Sequence, residues 1–493
     1  MKTKTYIMLG RTGDILNILP AIEYESKQNN YKPKLIVAKE YADVLDGCGD
    51  YVEKVVFPGN FKNINQAINL AYNNFPQTKI INCAIYGENF KIKRECSSFQ
   101  RESWKFSECP IAWGRLSLNF PNRNNEREKQ LLSKVIESRI GYKPIIITAL
   151  SGHSSPFNYT NELLELLKSS LSEFQIFDIS DLRAERFYDL LALYEKAHAL
   201  IAIDSAPLHL ANAVPELPVI SLISDLKDDW HRSSWRPNHI LRLLYSEVPT
   251  NLDKIVKATR EGNSYRKKQI HLVTSHKDKL FGEDFRRFEF AQKTWEDESK
   301  ANRLIWNISY YRSTSIPKVK KMIDFVEDKI GYTDDIIMIC NSDISFVPGI
   351  TGWILHEVER HGAVYFHRHD FVRLTNPLIS EADVIKGKWY CGSDAFAFTV
   401  EWWKENREDF PDMYFAREGW DMIMRNMIKR SGGTEIHSAI FHEKHKSFWE
   451  APENKNCAEN IHNRKLAQEW LNKYGGDWND WKFTVQQMKG MYR

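Results

Sequence analysis

The sequence predicts an α/β protein built from three successive α/β units. Three observations support this prediction. Short apolar strands alternate with amphipathic helical segments in the first part of the chain, the alternation starts again at residue 143, and a polar, basic stretch precedes a third series that begins at residue 270. Alternation of this kind is typical of parallel sheets with crossover helices. A chain of 493 residues is also too long for one hydrophobic core.

The first unit is predicted at residues 1–142. It opens with the strand-like run KTYIMLG, a glycine-containing turn and an amphipathic helix from Ile15 to Glu25. A second helix is predicted from Ile64 to Asn73. Further strands are predicted at 33–38, 51–57 and 78–86.

The second unit is predicted at residues 143–262. Its strands are predicted at 143–150, 174–180, 199–205 and, as the last one, 218–224. The segment NELLELLKSSL predicts a helix between the first two strands. Two consecutive α/β lobes predict a ligand cleft between them. The polar stretch 259–269 is the predicted linker to the next unit.

The third unit is predicted at residues 270–453 and is followed by a helical tail at 454–493. The run IHLVTS predicts its first strand, and a long charged helix is expected to end near Lys300. A second helix is predicted from Pro317 to Lys329, and the run DIIMICNSDISF (335–346) predicts a strong strand.

The charge and cysteine content narrow the classes of function. Lys and Arg total 68 and Asp and Glu total 65, so the net charge of +3 favours neither nucleic acid nor anionic membrane as a partner. Seven cysteines without a CxxC pair predict neither structural zinc nor a disulfide framework. No apolar run has the length of a membrane span, and the N-terminus does not resemble a secretory signal. We therefore expect a cytoplasmic protein.

The turn Gly10 to Asp14 is the first candidate site. It lies between a strand and a helix, where backbone N–H groups favour anions, and its glycines permit close approach of a ligand. The spacing differs from GxGxxG, which disfavours a nicotinamide cofactor. Asp14 has two explanations, as an N-terminal helix cap or as a catalytic carboxylate.

The segment AIDSAPLHL (202–210) ends a predicted buried strand and begins a helix. Ser205 is a candidate helix cap, and His209 falls in the first turn, where N–H groups could hold a diphosphate. A capping Asp204 and a packed histidine are the alternative. Another predicted strand is followed by Ser151, Gly152, His153 and Ser154, which could form a phosphate-binding turn.

Together, GRTGDILNILPAI and AIDSAPLHLANAVPELPVISL resemble the two signature segments of the heptosyltransferases, glycosyltransferase family 9. The resemblance implies a GT-B-like pair of Rossmann-like lobes, with the acceptor on the first lobe and the nucleotide sugar on the second. It implies inverting transfer without a metal, with Asp14 as general base, Gly13 in its turn, and Asp204, Ser205 and His209 at the donor. Ala206 stands where the family motif has glycine, and the segment after 150 lacks the family's lysine.

The second candidate site follows the run DIIMIC. Asn341-Ser342-Asp343 puts a carboxylate just past a buried strand, where oxygen ligands suit Mg²⁺ or Mn²⁺ bound to a nucleotide diphosphate. A polar exit from a strand is the alternative explanation. His367 and His369 lie on one side of a predicted strand, as ligands or, more simply, as packed side chains.

Three later segments, GSDAFAF (392–398), REGWD (417–421) and FHEKH (441–445), follow this motif in an order that resembles the GT-A glycosyltransferases. The resemblance implies a metal held by Asp343 and by His442 or His445. It also implies an acidic residue near the acceptor, either Glu418 or Asp421, which would share a helix face.

These motifs predict a glycosyltransferase that uses nucleotide-sugar donors on a glycan or other polymer, and that is either bifunctional or active in one module only. One alternative acceptor is DNA, contacted by the Lys/Arg and aromatic residues of 230–236 and 265–268. Another alternative is a sugar-binding assembly protein without turnover. The sequence leaves the oligomeric state open.

Overall fold

A computed structural model gives the fold of residues 3–83, 99–137, 143–152, 156–225, 236, 238–275, 282–302, 305–313, 315–379, 381–384, 386–445 and 454–476. The predicted α/β class is confirmed, because helices alternate with strands that form parallel or mixed sheets. The chain divides into two compact units, Met1–Lys267 and Lys268–Arg493. No helix among the described residues is long and apolar enough to cross a membrane.

The first half of unit 1 is a four-stranded parallel sheet in the order β3-β2-β1-β4. Its strands are almost entirely apolar where they are buried, as expected for a sheet covered on both faces. Its elements are β1 (Lys4–Met8), α1 (Thr12–Asn29), β2 (Lys34–Ala38), β3 (Glu53–Phe57), α2 (Ile64–Asn74), β4 (Lys79–Asn82), α3 (Phe99–Phe106) and α4 (Asn125–Glu137).

The second half of unit 1 is a five-stranded parallel sheet in the order β6-β5-β7-β8-β9. Its elements are β5 (Ile145–Ala149), α5 (Thr160–Ser170), β6 (Gln175–Asp178), α6 (Leu191–Tyr194), β7 (Ala199–Ile203), α7 (Ala206–Leu210), β8 (Val219–Ile223), β9 (His239–Leu244) and α8 (Leu252–Glu261). One apolar cluster contains residues of both sheets, including Leu35 and Leu200.

Two sequence predictions for this half are wrong. The strand at 218–224 is not the last, because β9 pairs beyond it; the polar Arg242 inside the run HILRLL obscures the apolar pattern. The predicted linker also starts too early, because Thr259 is buried in α8. Its hydroxyl donates a hydrogen bond to the carbonyl of Ile255, which lets a polar residue remain within the helix.

Unit 2 is a seven-stranded mixed sheet in the order β11-β10-β12-β15-β14-β16-β13. Its elements are β10 (Ile270–Thr274), α9 (Gly282–Ala301), β11 (Trp306–Tyr310), α10 (Val319–Glu327), β12 (Ile336–Cys340), β13 (Ile344–Phe346), α11 (Ile350–His361), β14 (Ala363–Phe371), α12 (Glu381–Val384), β15 (Lys388–Thr399), α13 (Val400–Asn406), α14 (Trp420–Arg430), β16 (Thr434–Glu443) and α15 (Ala458–Tyr474). Helix α15 packs Trp470 and Leu471 against the core of this unit.

The single strand predicted at 335–346 is wrong. It is two strands, because the polar residues Asn341 to Asp343 form a turn after β12. Strand β12 pairs with β10 and β15, whereas β13 pairs only with β16. The turn therefore exposes Asp343 at a sheet end, beside the end of β16.

Candidate functional site

Asp14 lies in the first turn of α1, and its carboxylate accepts a hydrogen bond from the backbone N–H of Arg11 at 2.8 Å. This hydrogen bond is the one that the third residue of a helix makes in a capping box, and it fixes the orientation of the carboxylate. Gly10 makes the arrangement possible, because a Cβ there would lie 2.4 Å from Asp14 Oδ2. The turn is thus built around the carboxylate.

Gly13 brings this turn into contact with α7. A Cβ on Gly13 would lie 3.0 Å from His209 Cδ2, so the glycine allows α1 and α7 to approach closely. His209 Nε2 lies 3.7 Å from Asp204 Oδ1, and both side chains are largely buried. The two signature segments, far apart in sequence, therefore meet at this point of unit 1.

Ser205 occupies the N-cap position of α7 but does not cap it through its side chain. Its hydroxyl donates to the carbonyl of Ile203 at 3.2 Å, so the expectation of a side-chain cap is wrong. The extended backbone of Ser205 turns the hydroxyl towards the strand that it leaves.

Ser151 and Gly152 come directly after β5. Because β5 and β7 are parallel neighbours, with Ala149 opposite Ala202, these residues lie at the same end of the sheet as Asp204. Ser151 is exposed. His153 and Ser154, the rest of the predicted turn, lie outside the described residues.

A cationic stack also lies beside α1. The guanidinium carbon of Arg236 lies 4.0 Å from the centre of the Trp113 ring, and that of buried Arg101 lies 5.1 Å from it. The Trp113 indole N–H donates to Asn17 Oδ1 at 2.7 Å, one helical turn after Asp14. The sequence placed Arg236 in a DNA-contact segment and gave no signal for this stacking.

Several basic side chains lie close together in this region, and burial and their charges lower the pKa of two of them. Burial, and then the charge of Arg101, lowers the pKa of Arg236 to about 9. Burial, and then Arg236 and Arg242, holds the pKa of His239 well below its usual range, so this imidazole is neutral. Positive side chains that lie this close together favour binding of an anion.

The other predicted DNA contacts differ. Residues 230–235 lie outside the described part of the chain. Lys268 Nζ is paired with Glu359 at 3.2 Å, and Tyr265 packs against an apolar cluster.

In unit 2, three side chains converge beside the turn after β12. Asp343 Oδ2 lies 2.7 Å from His445 Nε2 and 3.4 Å from His442 Nε2. One ligand atom from each residue lies within 4.8 Å of the others, so these three residues could hold a metal ion. The register that puts His442 opposite Ile344 and Asp370 produces this convergence.

His442 is held between two carboxylates. Its Nδ1 lies 3.0 Å from Asp370 Oδ1, on the side of the ring away from Asp343. Burial alone would lower the pKa of His442, but Asp343 and Asp370 raise it to about 9. Burial opposes ionisation of Asp343, yet His442 and His445 hold the pKa of that carboxyl well below its usual range.

Asn341 occupies the first position of the predicted metal motif and has a different role. Its amide donates to Asp394 Oδ1 at 2.7 Å, and Arg368 bridges Asp394 and Asp370. The motif's first position therefore offers no carboxylate, and the Asn341 Oδ1 is buried without a hydrogen-bond partner among the described residues.

Asp421 and Glu418 do not share a helix face, contrary to the sequence prediction. Helix α14 begins at Trp420 after Gly419, whose φ of 90° is left-handed, so Glu418 lies outside the helix. The Glu418 carboxylate lies 3.7 Å from Arg464 of α15. Burial, and then the charge of Asp394, raises the pKa of Asp421 to about 6. Of these two acidic residues, it is Asp421 that is influenced by the charge of Asp394.

His367 and His369 are packed side chains of β14. His367 Nε2 lies 3.1 Å from Glu435, and its ring stacks on His437 at 5.0 Å between ring centres. His369 Nδ1 lies 3.3 Å from the carbonyl of Gly387.

No protein-family model matches the chain, and no curated protein matches it. Several solved structures are similar to part of it. A family 9 glycosyl transferase from Veillonella parvula is 11% identical, with a TM-score of 0.37 over 52% of this chain and 89% of that chain. The ADP-heptose LPS heptosyltransferase II of E. coli is 12% identical, with a TM-score of 0.36 over 53% and 100%. The spinosyn forosaminyltransferase SpnP is 10% identical, with a TM-score of 0.30 over 53% and 95%.

Proposed function

We propose that the chain is a glycosyltransferase that takes its sugar from a nucleotide-sugar donor and transfers it to a hydroxyl of a glycan or other polymer. The observation that carries the proposal is the contact of the Asp14 turn with the Asp204–His209 segment through Gly13. It joins an oriented carboxylate to a sheet end of the kind that binds nucleotides in α/β proteins.

In unit 1, Asp14 would act as the general base. It takes the proton of the acceptor hydroxyl while that oxygen bonds to the anomeric carbon and the bond from this carbon to the nucleotide diphosphate breaks. The leaving diphosphate carries the developing charge. Gly13, Ser151, Gly152, Ser205 and His209 would hold it, with Asp204 orienting His209. The cationic stack of Arg236 and Arg101 adds positive charge near α1.

In unit 2, we propose a second transferase centre of GT-A-like type. Asp421 has a pKa of about 6, which suits a general base that operates near neutral pH. Asp343 and His442, together with His445, would hold a divalent cation. The chemistry that such an ion supplies is charge neutralisation at a donor diphosphate. Glu418 is bound to α15 and has no part in this proposal.

The test is a panel of UDP-, GDP- and ADP-sugars, assayed for hydrolysis and for transfer to glycans, with duplex DNA as a comparison acceptor. Asp14→Asn should lower the activity of unit 1 by at least about 10²-fold, and Asp421→Asn that of unit 2. Asp253→Asn is the matched control for Asp14, because Asp253 is an exposed acidic residue in the first turn of α8. Glu401→Gln in the first turn of α13 is the control for Asp421.

Each unit has its own contradicting outcome. If Asp14→Asn and Asp253→Asn retain equal activity, the unit 1 assignment is wrong. If Asp421→Asn and Glu401→Gln do so, unit 2 is a sugar-binding or structural module. Calorimetric binding of glycans without binding of any sugar nucleotide would instead indicate an assembly protein without turnover.

A further inference from the structure

We infer that Asp343, His442 and His445 form a resident transition-metal site that binds Mn²⁺, Fe²⁺, Co²⁺ or Zn²⁺ in preference to Mg²⁺, before any nucleotide binds. We further infer that Asp370 is its positioning residue. The inference concerns the metal of the second proposed transferase centre. Metal binding is measured without turnover, so it stands or fails separately from glycosyl transfer.

The donor set carries the choice of metal. Two imidazole nitrogens and one carboxylate converge within 4.8 Å. Imidazole suits transition metals and zinc, whereas Mg²⁺ prefers an octahedron of oxygen ligands. The position that could have supplied another carboxylate is occupied by Asn341, a neutral amide whose N–H donates to Asp394 Oδ1.

The three ligands are already together, which argues for a resident ion. His442 is nearly fully buried, while Asp343 and His445 have side chains 25% and 28% exposed. The centre therefore combines a fixed interior ligand with two ligands at a solvent-accessible edge. A metal bound there keeps coordination positions for oxygen atoms of a substrate.

Asp370 determines which nitrogen of His442 meets the metal. A carboxylate only accepts hydrogen bonds, so Nδ1 of His442, at 3.0 Å from Asp370 Oδ1, carries its proton. Nε2 then faces Asp343 and the ion. Asp370 is itself fixed by its ion pair with Arg368. Carboxylate–histidine–metal chains of this kind orient the ligand and raise its basicity.

The experiment uses the full-length protein, stripped with chelator and free of nucleotide. Calorimetry with Zn²⁺, Mn²⁺ and Mg²⁺ gives affinity and stoichiometry, and the visible absorption bands of Co²⁺ report nitrogen coordination. We expect one tight transition-metal ion per chain, and no saturable Mg²⁺ binding at concentrations at which Zn²⁺ saturates.

Variants separate ligands from a positioning residue. His445→Ala should weaken binding and change the Co²⁺ bands. Asp370→Asn should weaken binding by about 10- to 100-fold while one site per chain remains. His437→Ala, an exposed histidine on the same strand β16, should leave affinity and bands unchanged. Circular dichroism and thermal unfolding identify any variant that fails to fold. His445 is the safest ligand to remove, because its side chain is partly exposed.

Three results would overturn the inference: Mg²⁺ binding as tightly as Zn²⁺, metal binding only when a sugar nucleotide is present, or equal affinities in wild type, His445→Ala and Asp370→Asn. Metal binding as expected without any sugar transfer would leave the site in place and remove the proposed function of unit 2.

Discussion

We propose that the two candidate centres stabilise a leaving diphosphate with different sources of positive charge. In unit 1 the Asp14 turn lies beside Asp204 and His209, and the nearby positive charge comes from arginines. In unit 2, Asp343, His442 and His445 are the one group among the described residues that could hold a metal ion. A diphosphate leaving group requires positive charge in either case. The comparison indicates that charge can come from fixed cationic side chains and N–H groups or from a bound ion.

The largest effect is expected at Asp14. Asp14→Asn keeps a side-chain oxygen that can accept from the Arg11 N–H but removes the base. We expect kcat of unit 1 to fall by about 10²- to 10⁴-fold, with little change in thermal stability. In the wild-type protein, a metal chelator should leave the activity of unit 1 unchanged. Chelator-sensitive transfer that depends on Asp14 would break the contrast between the centres.

The glycines of the Asp14 turn come next. A Cβ on Gly10 would meet Asp14 Oδ2 at 2.4 Å, whereas a Cβ on Gly13 would meet the edge of the His209 ring at 3.0 Å. Gly10→Ala therefore displaces the carboxylate, and kcat should fall by about 10²-fold. Gly13→Ala shifts His209 by only tenths of an ångström, and should raise the KM for the donor more than it lowers kcat. The reverse order of effects would show that the turn does not hold the base.

Much of unit 1 could be predicted from sequence, because its strands are short apolar runs and its turn residues are adjacent to one another. The alternation gave the α/β class, and the Asp14 and His209 segments could be named. The Trp113–Arg236 stack could not be predicted, because it joins residues more than 100 positions apart through ring stacking, which has no sequence period.

In unit 2, Asp343 and His442 were named, but the role of Asp370 depends on the register of β14 against β16. No local pattern encodes that register. Glu418 was grouped with Asp421 from their spacing of three, and Gly419 starts the helix between them. Spacing predicts a shared face only where both residues lie inside one helix.

The substitution Asp421→Asn should lower the activity of unit 2 but raise the stability of the protein. Its carboxyl has a folded pKa of about 6, raised from 3.8, so its ionised form is disfavoured in the folded state. The resulting loss of folding stability is absent at pH values below 3.8, grows between pH 3.8 and about 6, and reaches its full size above pH 6. Asp421→Asn should therefore raise the free energy of unfolding at pH 7.5 by up to about 2 to 3 kcal/mol, as measured by denaturant titration. The difference should vanish near pH 4, while wild-type activity of unit 2 should rise as pH passes through 6. A pH-independent stability difference would contradict the assignment.

The smallest effect is expected at Ser205. Its hydroxyl donates to the Ile203 carbonyl and leaves the N–H groups at the start of α7 without a side-chain cap. Loss of a true cap costs about 1 kcal/mol, so Ser205→Ala should lower the free energy of unfolding by less than about 0.5 kcal/mol. If Ser205 contacts the donor phosphates, KM for the sugar nucleotide should still rise by about 10-fold, the equivalent of one hydrogen bond to a charged group. Ser169→Ala is the structural control, because its hydroxyl donates to the carbonyl of Leu166 within α5. A loss of stability without a change in KM would show that Ser205 has a structural role only. The donor diphosphate of unit 1 would then be bound by the backbone N–H groups of α7 and by the arginines.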